Sequence, residues 1–335
     1  MVAARRLPQG VLRRWTTAGG REGVMAEETG SGLVLPPRPQ RNRGVLIGAA
    51  VLVVVVVVGL VVYLTRGGDE PAAGRTVRIG TTEAGSPYWA TFKQLAAERG
   101  ITLEVVNFSD YTQANPALAQ GQIDLNLFQH LLFLANYDVA NDADLTPIAS
   151  TYVVPLSLYS KKHAAVTDIP QGGSVAIPND PTNQARALLV LQKAGLVVLK
   201  GGGTVLSTPA EIDTAASRVT VTPVDAAQTV NALTSVDGAV VNNNFALNGG
   251  LDPSKALFGD DPKDPTAEPY INAIVARDAD KDDPTYAEVA RIYKDKRVAE
   301  QVQAESKGTS VLVDRPVADL RAILARLSET IRAKK

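Results

Sequence analysis

The stretch Asn179-Asp180-Pro181-Thr182-Asn183-Gln184-Ala185-Arg186 lies between two apolar runs, Ser174-Val175-Ala176-Ile177 before it and Ala187-Leu188-Leu189-Val190-Leu191 after it. That order spells a strand, a polar turn and a helix start. Asp180 or Thr182 can cap the helix, because a short side-chain oxygen satisfies its first free N–H groups. Pro181 suits the first helical position, where its missing donor costs nothing. Arg186 then falls near the free donors and positive end of the helix, which fits an anionic guest. A planar guanidinium can hold a carboxylate through two parallel bonds. Taken alone, however, the stretch reads as an ordinary capped helix with a solvated arginine, since caps are common and anion sites few.

Working outward, the 335 residues suffice for a membrane segment and two lobes of ordinary size. A net charge of -1 gives no global basic field for nucleic acid. The absence of cysteine excludes disulfides, thiol nucleophiles, thiolate metal sites and a lipid-bearing cysteine in this sequence. Two histidines, His130 and His163, cannot build a histidine-rich metal site within one chain. No cofactor is expected. The glycines at 201–203 lack the Lys-Ser/Thr of a phosphate loop.

Residues 1–43 are rich in Gly, Pro and Arg with no apolar period, and read as a disordered cytoplasmic segment. Met25-Ala26-Glu27-Glu28 reads as an alternative start of translation. No apolar stretch directly follows Arg5-Arg6 or Arg13-Arg14, so they make a poor twin-arginine signal. Gly44 to Leu64 carries no charge and contains the run Val53 to Val58. As a helix it is roughly 30 Å long, enough to cross a bilayer core. Arg38, Arg41 and Arg43 precede it, whereas Arg66 is followed by Asp69 and Glu70. The positive-inside bias therefore predicts a single-pass membrane protein with a cytoplasmic N-terminus and an extracytoplasmic remainder. Residues 65–75 read as a linker.

Beyond it, strand-like and helical segments alternate. Thr76–Gly80, Thr102–Val106 and Ile123–Leu127 read as strands. Trp89–Arg99, Asn115–Gln120 and Gln129–Tyr137 read as helices. This alternation predicts an α/β fold with a mostly parallel sheet covered on both faces, and ligands at the strands' carboxyl ends. Leu145–Ala149 and Val153–Tyr159 read as extended, the second leaving one lobe for another. Ser174–Ile177, Val219–Val221 and Gly238–Val241 are strands of that second lobe, with a helix over Val224–Leu233 and a polar exit at Asn242-Asn243-Asn244. Tyr270–Ala276 reads as the extended return. Leu320, Ile323, Leu324, Leu327 and Ile331 form one face of a final helix that starts near Asp314 and Pro316.

Five stretches together resemble the NlpA/MetQ family of methionine-binding proteins of ABC importers. They are Asn107-Phe108-Ser109-Asp110-Tyr111, the run from Gly121 to His130, Tyr159-Ser160-Lys161-Lys162, Ile177 to Asn183 with Arg186, and Pro269-Tyr270-Ile271-Asn272. The resemblance runs from about Val77 to the C-terminal helix. It implies a two-lobed, type II periplasmic-binding-protein fold, with residues 76–155 plus 268–335 as the first lobe and 156–267 as the second. It implies that Tyr111, Phe128, His130 and Phe133 surround a methionine side chain, that Arg186 binds the carboxylate, and that Asn242 and Asn272 bond the polar end. A polarizable thioether packs well against aromatic rings, and an asparagine offers both donor and acceptor to a zwitterion. Without the resemblance, Phe128 and Phe133 would read as core, His130 as a helix-start residue, Tyr111 as a loop tyrosine, and the asparagines as turn residues.

The chain departs from the family pattern in lacking the lipidated cysteine, in carrying Phe133 where tyrosine is usual, and in its loop Thr82–Pro87. The expected function is an extracytoplasmic binding protein delivering L-methionine or a close analogue to an ABC permease and its ATPase. Alternatives are another amino acid or a small methionine peptide, an envelope sensor, and an enzyme using His130 as a base. The last lacks any accompanying nucleophile, paired acid or metal set.

Overall fold

The computed structural model describes residues 74–334. The expected segment 1–43, the Met25 start, the span 44–64 and most of the linker lie outside the described residues. The strands are β1 (Arg75–Thr81), β2 (Ile101–Asn107), β3 (Leu125–His130), β4 (Leu145–Ser150), β5 (Tyr152–Val153), β6 (Ser157–Tyr159), β7 (Gly173–Pro178), β8 (Val219–Val224), β9 (Gly238–Val241), β10 (Phe258–Gly259), β11 (Asn272–Arg277) and β12 (Val311–Leu312). The α-helices are α1 (Tyr88–Ala97), α2 (Ala114–Ala119), α3 (Leu131–Asn141), α4 (Pro181–Lys193), α5 (Thr229–Ala232), α6 (Asn243–Asn248), α7 (Pro284–Tyr293), α8 (Lys296–Glu305) and α9 (Val317–Lys334).

Two five-stranded sheets carry the two lobes, ordered β2-β1-β3-β11-β4 and β10-β6-β9-β7-β8. Both are mixed, which corrects the expectation of mostly parallel sheets. β1 runs parallel to β2 and β3, but β11 inserts antiparallel between β3 and β4. β7 is parallel to β8 and β9, while β6 runs antiparallel to β9 and β10. The physical reason lies in the crossings. β6 and β11 enter their sheets from the other lobe, so neither follows a helical crossover on its own sheet, as parallel pairing requires.

Alternation along β11 shows how the first sheet is covered. Ile274 and Ala276 pack with Phe92 and Leu95 of α1 and Val289 of α7. Ala273 and Val275 pack with Leu131 and Leu134 of α3 and with α9. The expected face of α9 is the one used: Leu320, Ile323, Leu327 and Ile331 are buried, with Leu324 packed beside them. In the second sheet, Val175, Ile177 and Val240 pack against Leu188 and Leu191 of α4. Ala176, Ala239 and Val241, pointing the other way, join a cluster with Tyr111, Phe128 and Phe133 of the first lobe.

Several boundaries moved. Arg75, assigned to the linker, already pairs with Ile101. The third strand extends to His130 rather than stopping at Leu127, because His130 pairs with Asn272 of the returning strand. The following helix therefore starts at Leu131 instead of Gln129, with His130 as its N-cap. Val224 ends a strand beside Pro178, and the expected Val224–Leu233 helix shrinks to α5 and a preceding 3-10 turn. The extended run Val153–Tyr159 divides around Pro155 into β5 and β6. Tyr270 closes a 3-10 turn instead of opening the return strand.

One core residue has a measurable pH consequence. Asp138 of α3 is 8% exposed, and its Oδ1 accepts no hydrogen bond. Burial pushes its carboxyl up to about 8, and Asp144 acts in the same direction. A folded-state pKa raised above about 3.9 stabilises the fold at low pH, and that stability is lost as pH rises through about 8. The melting temperature is expected to fall between about pH 4 and pH 8, and less so in Asp138→Asn. Parallel pH profiles for the two proteins would contradict this.

Candidate ligand cleft

The carboxyl ends of β1, β2 and β3 approach those of β7 and β9 around a cleft of about 530 Å³, counted to its open mouth. Tyr111, Phe128, His130, Phe133, Arg186, Asn242 and Asn272 all line it. Residues far apart in sequence thus meet because each follows, or ends, a strand whose carboxyl edge borders the gap.

The apolar wall is aromatic. Tyr111 lies 5.9 Å, centroid to centroid, from both Phe128 and Phe133, which are 5.7 Å apart and edge-on. Such tilted and edge-on pairs are the favoured geometries for aromatic rings. Phe245 of α6 backs Tyr111 at 4.9 Å from the second lobe. Sequence reading passed over Phe245, although it directly follows the asparagine run it had singled out.

His130 is held as a neutral donor. Its Nδ1 accepts from the Phe133 N–H at 3.1 Å, capping α3. The ring proton therefore sits on Nε2, 3.3 Å from Asn183 Oδ1. Burial, reinforced by Arg186, pushes His130 down to about 3. Asn183 Oδ1 also accepts from Asn242 Nδ2 at 2.9 Å, and Asn183 Nδ2 donates to Asp180. Asp180 in turn caps α4 by accepting from the Asn183 N–H. The capping residue read from sequence thus orients the amide that joins His130 to Asn242. Asn272 donates through Nδ2 to the Tyr270 carbonyl at 3.2 Å.

Arg186 departs most from expectation. It is 3% exposed, which corrects the solvated surface arginine that the stretch alone suggests. Its bidentate grip is already directed to a protein carboxylate. Nε donates to Asp260 Oδ2 at 2.6 Å and Nη2 to Asp260 Oδ1 at 3.0 Å. Nη2 also donates to the Val154 carbonyl at 2.8 Å, and the guanidinium lies 4.0 Å from the Tyr270 ring centroid. Asp260 Oδ1 accepts from the Leu156 N–H at 2.8 Å. This cluster ties α4 to the segment that leaves the first lobe. It leaves Nη1 as the edge without a protein acceptor, so a ligand anion would meet that edge rather than the paired one. Sequence offered no way to choose Asp260 from among Asp260, Asp261 and Asp264 of the same loop.

The lobes also touch directly. Tyr111 donates its hydroxyl to Asn244 Oδ1, Asn244 Nδ2 donates to Thr82 Oγ1 at 3.1 Å, and Asn248 Nδ2 donates to the Thr82 carbonyl at 3.3 Å. Lys307 pairs with Asp252 at 2.7 Å. These contacts describe a cleft drawn together, the arrangement that hinge closure produces.

With the geometry in place, comparison with known proteins assigns the class. The NlpA lipoprotein family profile matches residues 77–313. The chain is 32% identical over 249 residues to the D-methionine-binding lipoprotein MetQ of Salmonella typhi, covering 73% of this chain and 90% of that one. The substrate-binding protein of a methionine transporter from Streptococcus pneumoniae superposes with a TM-score of 0.65 at 38% identity, covering 71% of this chain and 95% of the other. A nutrient-binding protein from Burkholderia cenocepacia, bound to methionine, gives a TM-score of 0.64 at 34% identity, with coverage of 70% and 99%. The chain belongs to the NlpA lipoprotein family and has its two-lobed α/β fold.

Proposed function

We propose that this protein is the extracytoplasmic substrate-binding component of an ABC importer, with L-methionine or a close analogue held in the inter-lobe cleft. The observation that carries the reading is a cleft with an aromatic wall of Tyr111, Phe128 and Phe133 and, among the described residues that line it, one guanidinium, Arg186. The rings suit a thioether, and the guanidinium, with Asn242 and Asn272, suits the polar end of an amino acid. The names of the relatives support the same ligand; the Salmonella relative's name specifies the D enantiomer. An enzymatic role for His130 is disfavoured, because one ring nitrogen caps a helix and the other donates to Asn183. We assign the first lobe to residues 76–155 plus 268–335 and the second to 156–267.

Membrane attachment through Gly44–Leu64 belongs to the same proposal. Among the described residues no helix is long and apolar enough to cross a membrane. The relatives are named lipoproteins, but this sequence contains no cysteine to carry a lipid, and the uncharged span would serve in its place. Mass spectrometry of small molecules released from the full chain, purified without added substrate, is expected to find methionine. Calorimetry with both enantiomers would then fix the preference. A chain that released no amino acid and gave no heat with either enantiomer would overturn the assignment.

A further inference from the structure

Glu83 stands in the loop after β1. Its side chain borders both the main cleft and an adjoining space of about 270 Å³ lined by Tyr88, Tyr152, Glu305, Ser306 and Ser310. Oε1 accepts from the Tyr88 hydroxyl at 2.7 Å and from the Tyr152 hydroxyl at 3.1 Å. The Glu83 carbonyl accepts from the Trp89 indole at 3.0 Å. The carboxylate is therefore fixed through one oxygen, and Oε2 accepts from no described residue. Asn242 Oδ1, buried and likewise without a hydrogen bond, borders the same cleft.

Among the described residues no counter-ion accompanies this carboxylate. Tyr88, Tyr111, Tyr152, Tyr293 and Glu305 face it from the surrounding elements, and none is a cation. Among the described residues, Arg186 is the sole arginine or lysine lining either space, and it is already paired with Asp260. The cleft thus offers an uncompensated carboxylate at one place and, at another, the Nη1 edge of a guanidinium whose other edge is paired with Asp260, donor and acceptor ends that match a zwitterion.

We propose that Glu83 receives the ammonium group of the bound amino acid, with Tyr88 and Tyr152 holding its carboxylate in position. This rests on the amino-acid reading of the cleft given above. Burial raises Glu83 to about 7, against the two tyrosine hydrogen bonds, so an incoming ammonium would stabilise the ionised form. Binding then releases a proton near neutral pH. Affinity is full above about pH 7 and falls as pH drops below it.

The test compares L-methionine with 4-(methylthio)butanoate, which lacks only the amino group, on the full chain and on Glu83→Gln. The amide keeps an acceptor for the tyrosines and removes the charge. At about pH 8 the variant is expected to lose about tenfold or more in methionine affinity, but less than about threefold for the des-amino analogue. Methionine affinity of the native chain should also fall toward about pH 5.5, while that of the variant stays flat. Equal effects of the variant on both ligands, or none on methionine, would overturn the role of Glu83 while leaving the methionine reading intact. Failure of the native chain to bind methionine at all would overturn both.

Discussion

Arg186→Ala is expected to abolish measurable methionine binding and also to destabilise the protein. The two losses have different origins. Under the proposed function, binding loses the cation that would meet the ligand carboxylate, and truncating one partner of a hydrogen-bonded charge pair typically costs about 2–5 kcal/mol. Stability is lost because Asp260, only 17% exposed at its side chain, is left without its partner. Breaking a buried pair from one side costs about 3–5 kcal/mol, with the lower end apt for a carboxylate that keeps some solvent contact. The Val154 carbonyl loses a donor as well. A double variant, Arg186→Ala with Asp260→Ala, separates the two effects. It should regain much of the thermal stability while binding stays lost. Native-like methionine affinity in either variant would remove Arg186 from the site.

Tyr111→Ala is expected to have the second-largest effect. The ring is 8% exposed and packs with Phe128, Phe133 and Phe245, so its removal opens a cavity between the lobes. Large aromatic truncations in cores cost about 3–5 kcal/mol. The hydroxyl that donates to Asn244 is lost too, which weakens the direct contact between lobes. Tyr111→Phe isolates that contact: it keeps the ring and should cost about 1 kcal/mol. Calorimetry with methionine and leucine then tests the aromatic wall. Selectivity for methionine over leucine that survived Tyr111→Ala would count against a thioether held among these rings.

What was legible in the sequence follows from local physics. A helix start at Pro181 is legible because capping involves atoms only a few residues apart, and of the two caps the sequence allows, Asp180 and Thr182, the structure uses Asp180. The apolar face of α9 follows from helical periodicity alone. Val224 and the segment Gln129–His130 end their strands instead of starting helices, because local sequence marks an element's boundary poorly and the choice is made by pairing with Pro178 and Asn272. Glu83 and Asp260 escaped notice for a related reason. A carboxylate in a polar loop looks solvated until its neighbours arrive, here tyrosines 88 and 152 for one and Arg186 for the other.

By itself, then, the sequence determined the order of most strands and helices, the uncharged span at 44–64, and the family whose motifs it carries. Those depend on spacing along the chain, which needs no third dimension. Only the tertiary structure decided what Arg186 does with its guanidinium. Its partner Asp260 lies 74 positions away and is brought to it when the second sheet forms beside the crossing segment. The same folding places Glu83 opposite no cation. Charge pairing and burial are properties of distance in space, and for this cleft they were set by how the two lobes meet.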